Sequence, residues 1–171
     1  MTNLSTTMAV EEVARRHGAD FYRTPIGEIN VVTRMKEVKS PIGGEGNGGV
    51  ILPAVHYGRD SLVGMALVLQ SLSEAGGTLS SLMNKFSRYD MIKEKIRLEA
   101  HLDLDRLKAA MEDEFAGGRF NLDDGIRVEV EGGWLHVRKS GTEPVVRLIS
   151  EAATTDEAER LVSRATRLLG K

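Results

Sequence analysis

Residues 126–152 hold three strand-like segments in close succession: 126–131, 134–139 and 145–152. Only Gly132-Gly133 separates the first two, whereas a parallel crossover needs a dozen or more residues. Strands joined this tightly must run antiparallel, the first pair as a tight hairpin. Upstream lies a strand at 95–100. Asp103 then caps a helix that places Leu104, Leu107, Met111 and Phe115 on its buried face, and Gly117 ends it. Downstream, Thr154 to Glu157 has the pattern of a capping box. It opens a last helix with Ala158, Leu161, Val162, Ala165 and Leu168 inside. The order strand, helix, three strands, helix predicts a compact α+β unit.

The first half has a different texture. Helical spacing begins near Thr7, with Val10, Val13, Ala14 and His17 on one face and Gly18 at the stop. A short strand at 19–22, a turn at Thr24-Pro25-Ile26-Gly27 and a helix at 28–37 follow. Residues 41–49 form a glycine-rich loop and 50–52 a short buried strand. Asp60 caps a helix running to about Ala75, stopped at Gly76, with Leu62, Ala66 and Leu69 on one face. A shorter helix spans 79–86. Alternating strands and helices predict α/β layering. The change of texture at 89–93 divides the chain into 1–90 and 91–171. Met1 to Ser5 reads as the tail of a buried strand, so the first domain is expected to be truncated at its N-terminus.

Composition narrows the function. A chain of 171 residues with 41% hydrophobic and 28% charged residues can build ordinary cores. The net charge of −2 disfavours a nucleic-acid partner, which calls for a basic surface. There are no cysteines, which excludes disulfides, thiolate nucleophiles and Cys-ligated zinc. His17, His56, His101 and His136 lack metal-ligand spacing. No stretch reaches the roughly 20 apolar residues of a membrane span and no leader is visible, so a cytoplasmic location is expected.

Two loops carry chemistry. Arg138-Lys139-Ser140-Gly141-Thr142-Glu143-Pro144 lies between two strands. Arg138 offers a planar fork of donors suited to phosphate, and Ser140 and Thr142 add hydroxyls. Gly141 permits backbone geometry in which N–H groups converge on an anion, and Arg147 supplies a second cation. The same residues also suit a plain polar hairpin. Gly43-Gly44-Glu45-Gly46-Asn47-Gly48-Gly49 reads either as a linker or as backbone that a ligand approaches closely. In the second case Glu45 accepts hydrogen bonds from hydroxyls, and Asn47 donates and accepts.

The first loop resembles the R-x-S-G-T-E-P phosphate-binding loop of the α-D-phosphohexomutases. The second resembles their sugar-binding G-E-x-S-G-H loop, with Asn47 in place of serine and Gly49 in place of histidine, as in a G-E-G-N-G-G subgroup assigned to phosphoglucosamine or phosphomannose mutation. Thr24-Pro25-Ile26-Gly27 resembles the family's T-x-x-G turn near substrate. Arg59-Asp60 matches a family helix start, where Asp60 reads as a cap. The resemblance runs from Val10 to about Leu169. It implies most of a third, three-layer α/β domain with a mixed sheet, followed by a whole fourth domain: small, two-layer, TBP-like, with an antiparallel sheet and helices.

By resemblance, Arg138, Ser140, Gly141, Thr142 and Arg147 hold the non-reacting phosphate. Glu45, Asn47, Thr24 and Gly27 face the sugar. The family's S-H-N-P phosphoserine loop and D-G-D-G-D-R metal loop are both absent from this sequence, and Asp123-Asp124-Gly125 reads as a turn. The expectation is therefore a substrate-binding fragment without catalytic residues and inactive alone. Its Mg²⁺ would be bound outside this chain, and its partners would be a hexose phosphate, the two N-terminal domains of the same enzyme, and a second copy. The substrate expected from the resemblance is glucosamine phosphate, else mannose or glucose phosphate. The alternative is a non-catalytic sugar-phosphate-binding domain.

Overall fold

The structure, a computed structural model, describes residues 1–97, 103–141 and 143–170. It forms two compact units, Met1–Arg88 and Tyr89–Lys171.

In the first unit, β1 (Thr2–Asn3) leads into α1 (Met8–Arg16), whose first turn is capped by the Thr7 hydroxyl. β2 (Arg23–Thr24) pairs with β1 in parallel. The expected strand at 19–22 therefore lies further along the chain. Its position is set by the partner: the N–H groups of Thr2 and Leu4 bond the carbonyls of Tyr22 and Thr24. α2 (Glu28–Val38) buries Val31, Val32 and Met35, and these pack with Met1 and Ile51 into a small core.

The expected glycine-rich loop is a hairpin of β3 (Gly43–Glu45) and β4 (Gly49–Ile51). A turn closes it where the Gly48 N–H bonds the Glu45 carbonyl, with Gly48 at φ 92°. That is the geometry of a turn followed by a bulge residue in the left-handed region. The first unit thus holds both parallel and antiparallel strand pairs.

α3 (Ser61–Ala75) has the predicted ends: the Asp60 carboxylate caps Leu62 and Val63, and Gly76 is left-handed. None of its residues is buried, and Leu62 and Leu69 are 72% and 66% exposed. It approaches β4 through Gly64, which lies against Val50. α4 (Leu79–Met83) is shorter than predicted and ends at Asn84.

The second unit begins at β5 (Asp90–Arg97), so the stretch read as a change of texture is itself strand. Residues 98–100 of the predicted strand lie outside the described residues. α5 (Leu104–Glu114) is capped by Asp103 and buries Leu107 and Met111, with Phe115 just beyond it. Leu104, expected inside, is exposed at the first position of the helix. A strand not foreseen, β6 (Arg119–Asn121), precedes β7 (Ile126–Val130), β8 (Gly133–Lys139) and β9 (Val145–Ala152). The hairpin pairs Val130 with Gly133, so Glu131 and Gly132 make the turn and Gly133 belongs to the strand. α6 (Thr155–Leu168) follows, capped by Thr154.

The antiparallel sheet has the order β5-β9-β8-β7-β6. Alternate residues of a strand face opposite sides. Val128, Leu135, Val137, Val146 and Leu148 meet Leu107, Met111, Phe115, Leu161 and Val162 in one core. Burying aliphatic side chains of this size stabilises by about 1.5–3 kcal/mol each. The other face carries Arg127, Trp134, His136, Arg138, Arg147 and Glu151.

Candidate functional site

The second unit builds a cationic row from its register. Arg138 on β8 lies directly opposite Arg147 on β9, and Arg147 lies directly opposite Lys95 on β5. Like charges directly across a sheet repel, so such a row needs anions beside it.

Two carboxylates answer it. Asp124, in the turn before β7, faces Arg138 Nε at 3.4 Å, and both side chains are about four-fifths shielded. Glu143 lies 3.2 Å from Lys95 Nζ and 3.0 Å from Arg147 Nη2. The Lys95 ammonium, and after it the Arg147 guanidinium, hold the Glu143 carboxyl below the ordinary carboxylate value. In the loop the Ser140 N–H donates to the Val145 carbonyl at 2.9 Å, and the Ser140 hydroxyl accepts from the Glu143 N–H at 3.3 Å.

Gly141 does not take the left-handed backbone, and a side chain there would meet open space. The loop is held by the hydrogen bonds at Ser140 and Val145. Thr142 lies outside the described residues.

Behind the cationic row the same face is closed by buried polar contacts. Trp134 Nε1 donates to Glu151 Oε2 at 2.9 Å, with both residues almost fully buried. The Arg127 guanidinium stacks 4.8 Å from the Trp134 ring centre and pairs with Glu129, which also takes Arg119. His136 Nε2 lies 2.5 Å from the Asp124 carbonyl, and burial pushes its pKa below the ordinary value. Trp134 and His136 pack on one face of β8, and His136 also contacts the turn that carries Asp124.

In the first unit the turn of the β3–β4 hairpin holds Glu45 and Asn47. Glu45 is 9% exposed. Its Oε1 accepts from Asn3 Nδ2 at 3.0 Å, and Arg59 Nη1 lies 3.3 Å from its Oε2. Arg59 is held in turn by Glu28, through Nε at 2.8 Å and its backbone N–H at 3.1 Å. Those two Arg59 contacts lower the Glu28 pKa, the backbone one most. A side chain at Gly49 would collide with the Arg59 stem, which accounts for glycine there. Asn47 is exposed, its side-chain oxygen accepting from the Gly49 N–H at 3.3 Å.

Thr24 is 5% exposed, and its hydroxyl donates to backbone carbonyls of Thr2 and Pro25. Gly27, at φ 123°, starts α2. The hairpin thus carries Glu45 and Asn47, while the Thr24 hydroxyl bonds backbone beside the β1–β2 pair. Sequence reasoning missed Asn3, Arg59, Lys95, Asp124 and Glu143; the Asn3–Glu45, Arg59–Glu28 and Lys95–Glu143 contacts join residues more than 30 apart, whereas Glu143–Arg147 is a local pair.

Among the described residues there is no group of three or more His, Asp or Glu able to hold a metal. No helix among them is long and apolar enough to cross a membrane.

Comparison with known proteins matches both units. Residues 1–89 match the family described as phosphoglucomutase/phosphomannomutase, alpha/beta/alpha domain III, and residues 94–168 match phosphoglucomutase/phosphomannomutase, C-terminal domain. A phosphoglucomutase/phosphomannomutase of Thermococcus kodakarensis is 32% identical over 99% of this chain and 37% of its own length. A phosphoglucosamine mutase of Cupriavidus taiwanensis is 31% identical over 98% of this chain and 36% of its own. Among solved structures, a phosphoglucomutase/phosphomannomutase family protein from Burkholderia thailandensis superposes with a TM-score of 0.81 at 27% identity, covering 98% of this chain and 36% of that one. The chain therefore spans little more than a third of the length of these relatives.

Proposed function

The chain belongs to the phosphoglucomutase/phosphomannomutase family, with an α/β domain III followed by the C-terminal domain, and from that premise we propose that it forms the substrate-holding part of a hexose-phosphate mutase. In this reading the unit at 91–171 anchors the non-reacting phosphate of the sugar through Arg138, Ser140, Gly141, Thr142 and Arg147. The unit at 1–90 receives sugar hydroxyls at Glu45 and Asn47.

The observation that carries the reading is the cross-strand pair Arg138 and Arg147 beside the 140–143 loop. Two guanidinium groups side by side on one sheet face suit a dianion with three acceptor oxygens better than any single carboxylate. The seated Glu45 supports the sugar site. Asn3 and Arg59 fix its carboxylate before any ligand arrives, and a carboxylate keeps further acceptor positions for hydroxyls.

The reaction moves a phosphoryl group between the 1- and 6-positions of a hexose. This chain's residues bind and orient the sugar and help to exclude water. Phosphoryl transfer itself needs a donor group and Mg²⁺ to neutralise developing charge, and both belong to the rest of the enzyme. The chain alone is thus inactive, and its partners are the two N-terminal domains. The exposed apolar residues of α3 fit burial against further protein, whether those domains or a second copy. Glucosamine phosphate is the favoured substrate, on the Asn47-Gly48-Gly49 pattern and the phosphoglucosamine mutase relative. Mannose and glucose phosphates stand next.

The test is calorimetric titration of the chain with the 6-phosphates of glucosamine, mannose and glucose. Binding strongest for glucosamine 6-phosphate and lost in Arg138→Ala/Ser140→Ala is expected. Unchanged binding in that variant would rule out the phosphate anchor.

A further inference from the structure

We infer that Lys95 is a third cation of the phosphate site and that Glu143 is an internal stand-in for the ligand, holding Lys95 and Arg147 until a phosphate displaces it. The inference rests on the anchor reading above and adds two residues to it.

It starts from the register. Lys95, Arg147 and Arg138 are direct cross-strand neighbours on β5, β9 and β8. All three therefore project from the same face, and a ligand phosphate held by the two arginines comes within reach of Lys95. In the free chain the repulsion within this row is offset by two carboxylates of unlike character. Asp124 is held in place: its side chain is 21% exposed and its carbonyl contacts the buried His136. Glu143 is not held in this way. Its side chain is 43% exposed, and its two partners, Lys95 and Arg147, are 59% and 37% exposed.

Ion pairs this open to water contribute little each. A phosphate brings more charge and three strong acceptor oxygens to the same donors. The Glu143 carboxylate sits between the two cations at 3.2 and 3.0 Å, the place where a phosphate oxygen bridging them would sit. Its depressed pKa agrees with an ionised carboxylate in that place. Asp124 then aims Arg138, and Glu143 keeps Lys95 and Arg147 together and yields on binding.

The experiment is calorimetric titration of the 171-residue chain with glucosamine 6-phosphate and, separately, inorganic phosphate. The proteins compared are wild type, Lys95→Gln, Glu143→Gln, the double variant, and Arg138→Ala. Lys95→Gln is expected to weaken binding about fivefold, in the wild-type and in the Glu143→Gln background alike. Glu143→Gln is expected to tighten it about threefold, since the internal competitor is gone. A carboxylate that only braced the loop would give the opposite sign. Near-UV circular dichroism confirms the fold of each variant.

If Arg138→Ala abolishes binding while Lys95→Gln leaves it unchanged or Glu143→Gln weakens it, the inference fails and the anchor stands. If Lys95→Gln matters only when Glu143 is present, Lys95 acts through Glu143 and does not touch the ligand, which also overturns it. If wild type binds neither probe, or Arg138→Ala binds normally, the anchor reading fails and takes the inference with it.

Discussion

Gly125→Ala tests the geometry behind the Arg138 site. Gly125 has φ 75°, and a methyl group there would stand 2.4 Å from the Val137 carbonyl oxygen and 2.9 Å from Arg138 Cβ. Two costs arise. The left-handed backbone costs a non-glycine residue about 1–2 kcal/mol. The collision is with backbone that the β7–β8 ladder holds, so relief requires strain of about 1–3 kcal/mol. The sum is about 3 kcal/mol.

Gly132→Ala separates the two terms. Gly132 has φ 77°, and nothing lies within 4 Å of the added methyl, so only the first cost applies and about 1 kcal/mol is expected. Urea denaturation of both variants measures the difference, read from the midpoints at equal slope. A domain of 60–100 residues loses roughly 4–8 °C of Tm per kcal/mol, so Gly125→Ala should melt roughly 12–24 °C below wild type. It should also bind sugar phosphate more weakly, because Asp124 would be displaced from Arg138. A Gly125→Ala cost equal to that of Gly132→Ala would refute the close approach.

Leu148→Ala, at a fully buried position facing the helices, should cost about 2–5 kcal/mol by urea denaturation. His136 has a folded-state pKa below its unfolded value because it is buried. Its contribution to stability is therefore complete above about pH 6.5 and is lost as pH falls below that value toward the lowered pKa. His136→Asn should flatten the pH profile of the melting temperature over that window, and an unchanged slope would exclude His136 as its source. Asp124→Asn keeps the shape but removes the charge beside Arg138. It should weaken sugar-phosphate binding about threefold by calorimetry with a nearly unchanged melting temperature, and stronger binding would mean that Asp124 competes with the ligand instead of aiming Arg138.

Much of the fold is legible in local sequence signals. Asp60, Asp103 and Thr154 announce helix starts because a cap bonds N–H groups two or three residues away. Strands joined as closely as β7 and β8 have to be antiparallel, and the 138–144 string is legible as a candidate anion loop between β8 and β9. The signals fail where a partner lies far off in the chain. β2 stands away from its expected place because Thr2 and Leu4 set its position. β6 gives no signal because three residues carry no usable period, and only pairing with β7 makes them a strand. The glycine-rich stretch reads as a loop because glycines lack strand propensity, yet its two ends pair with each other.

The candidate site divides along the same line. Sequence alone determined which residue types stand ready: Arg138, Ser140 and Arg147 around one loop, Glu45 and Asn47 around the other. Those are matters of local composition and turn chemistry. Tertiary structure decided that Lys95 stands across from Arg147, that Asp124 and Glu143 answer the cationic row, that Arg59 and Asn3 seat Glu45, and that the Thr24 hydroxyl bonds the Thr2 carbonyl. Cross-strand register and the burial of a charge are long-range properties, set by which segments meet and what they shield from water, and apart from the local Glu143–Arg147 pair no short window of sequence contains both partners.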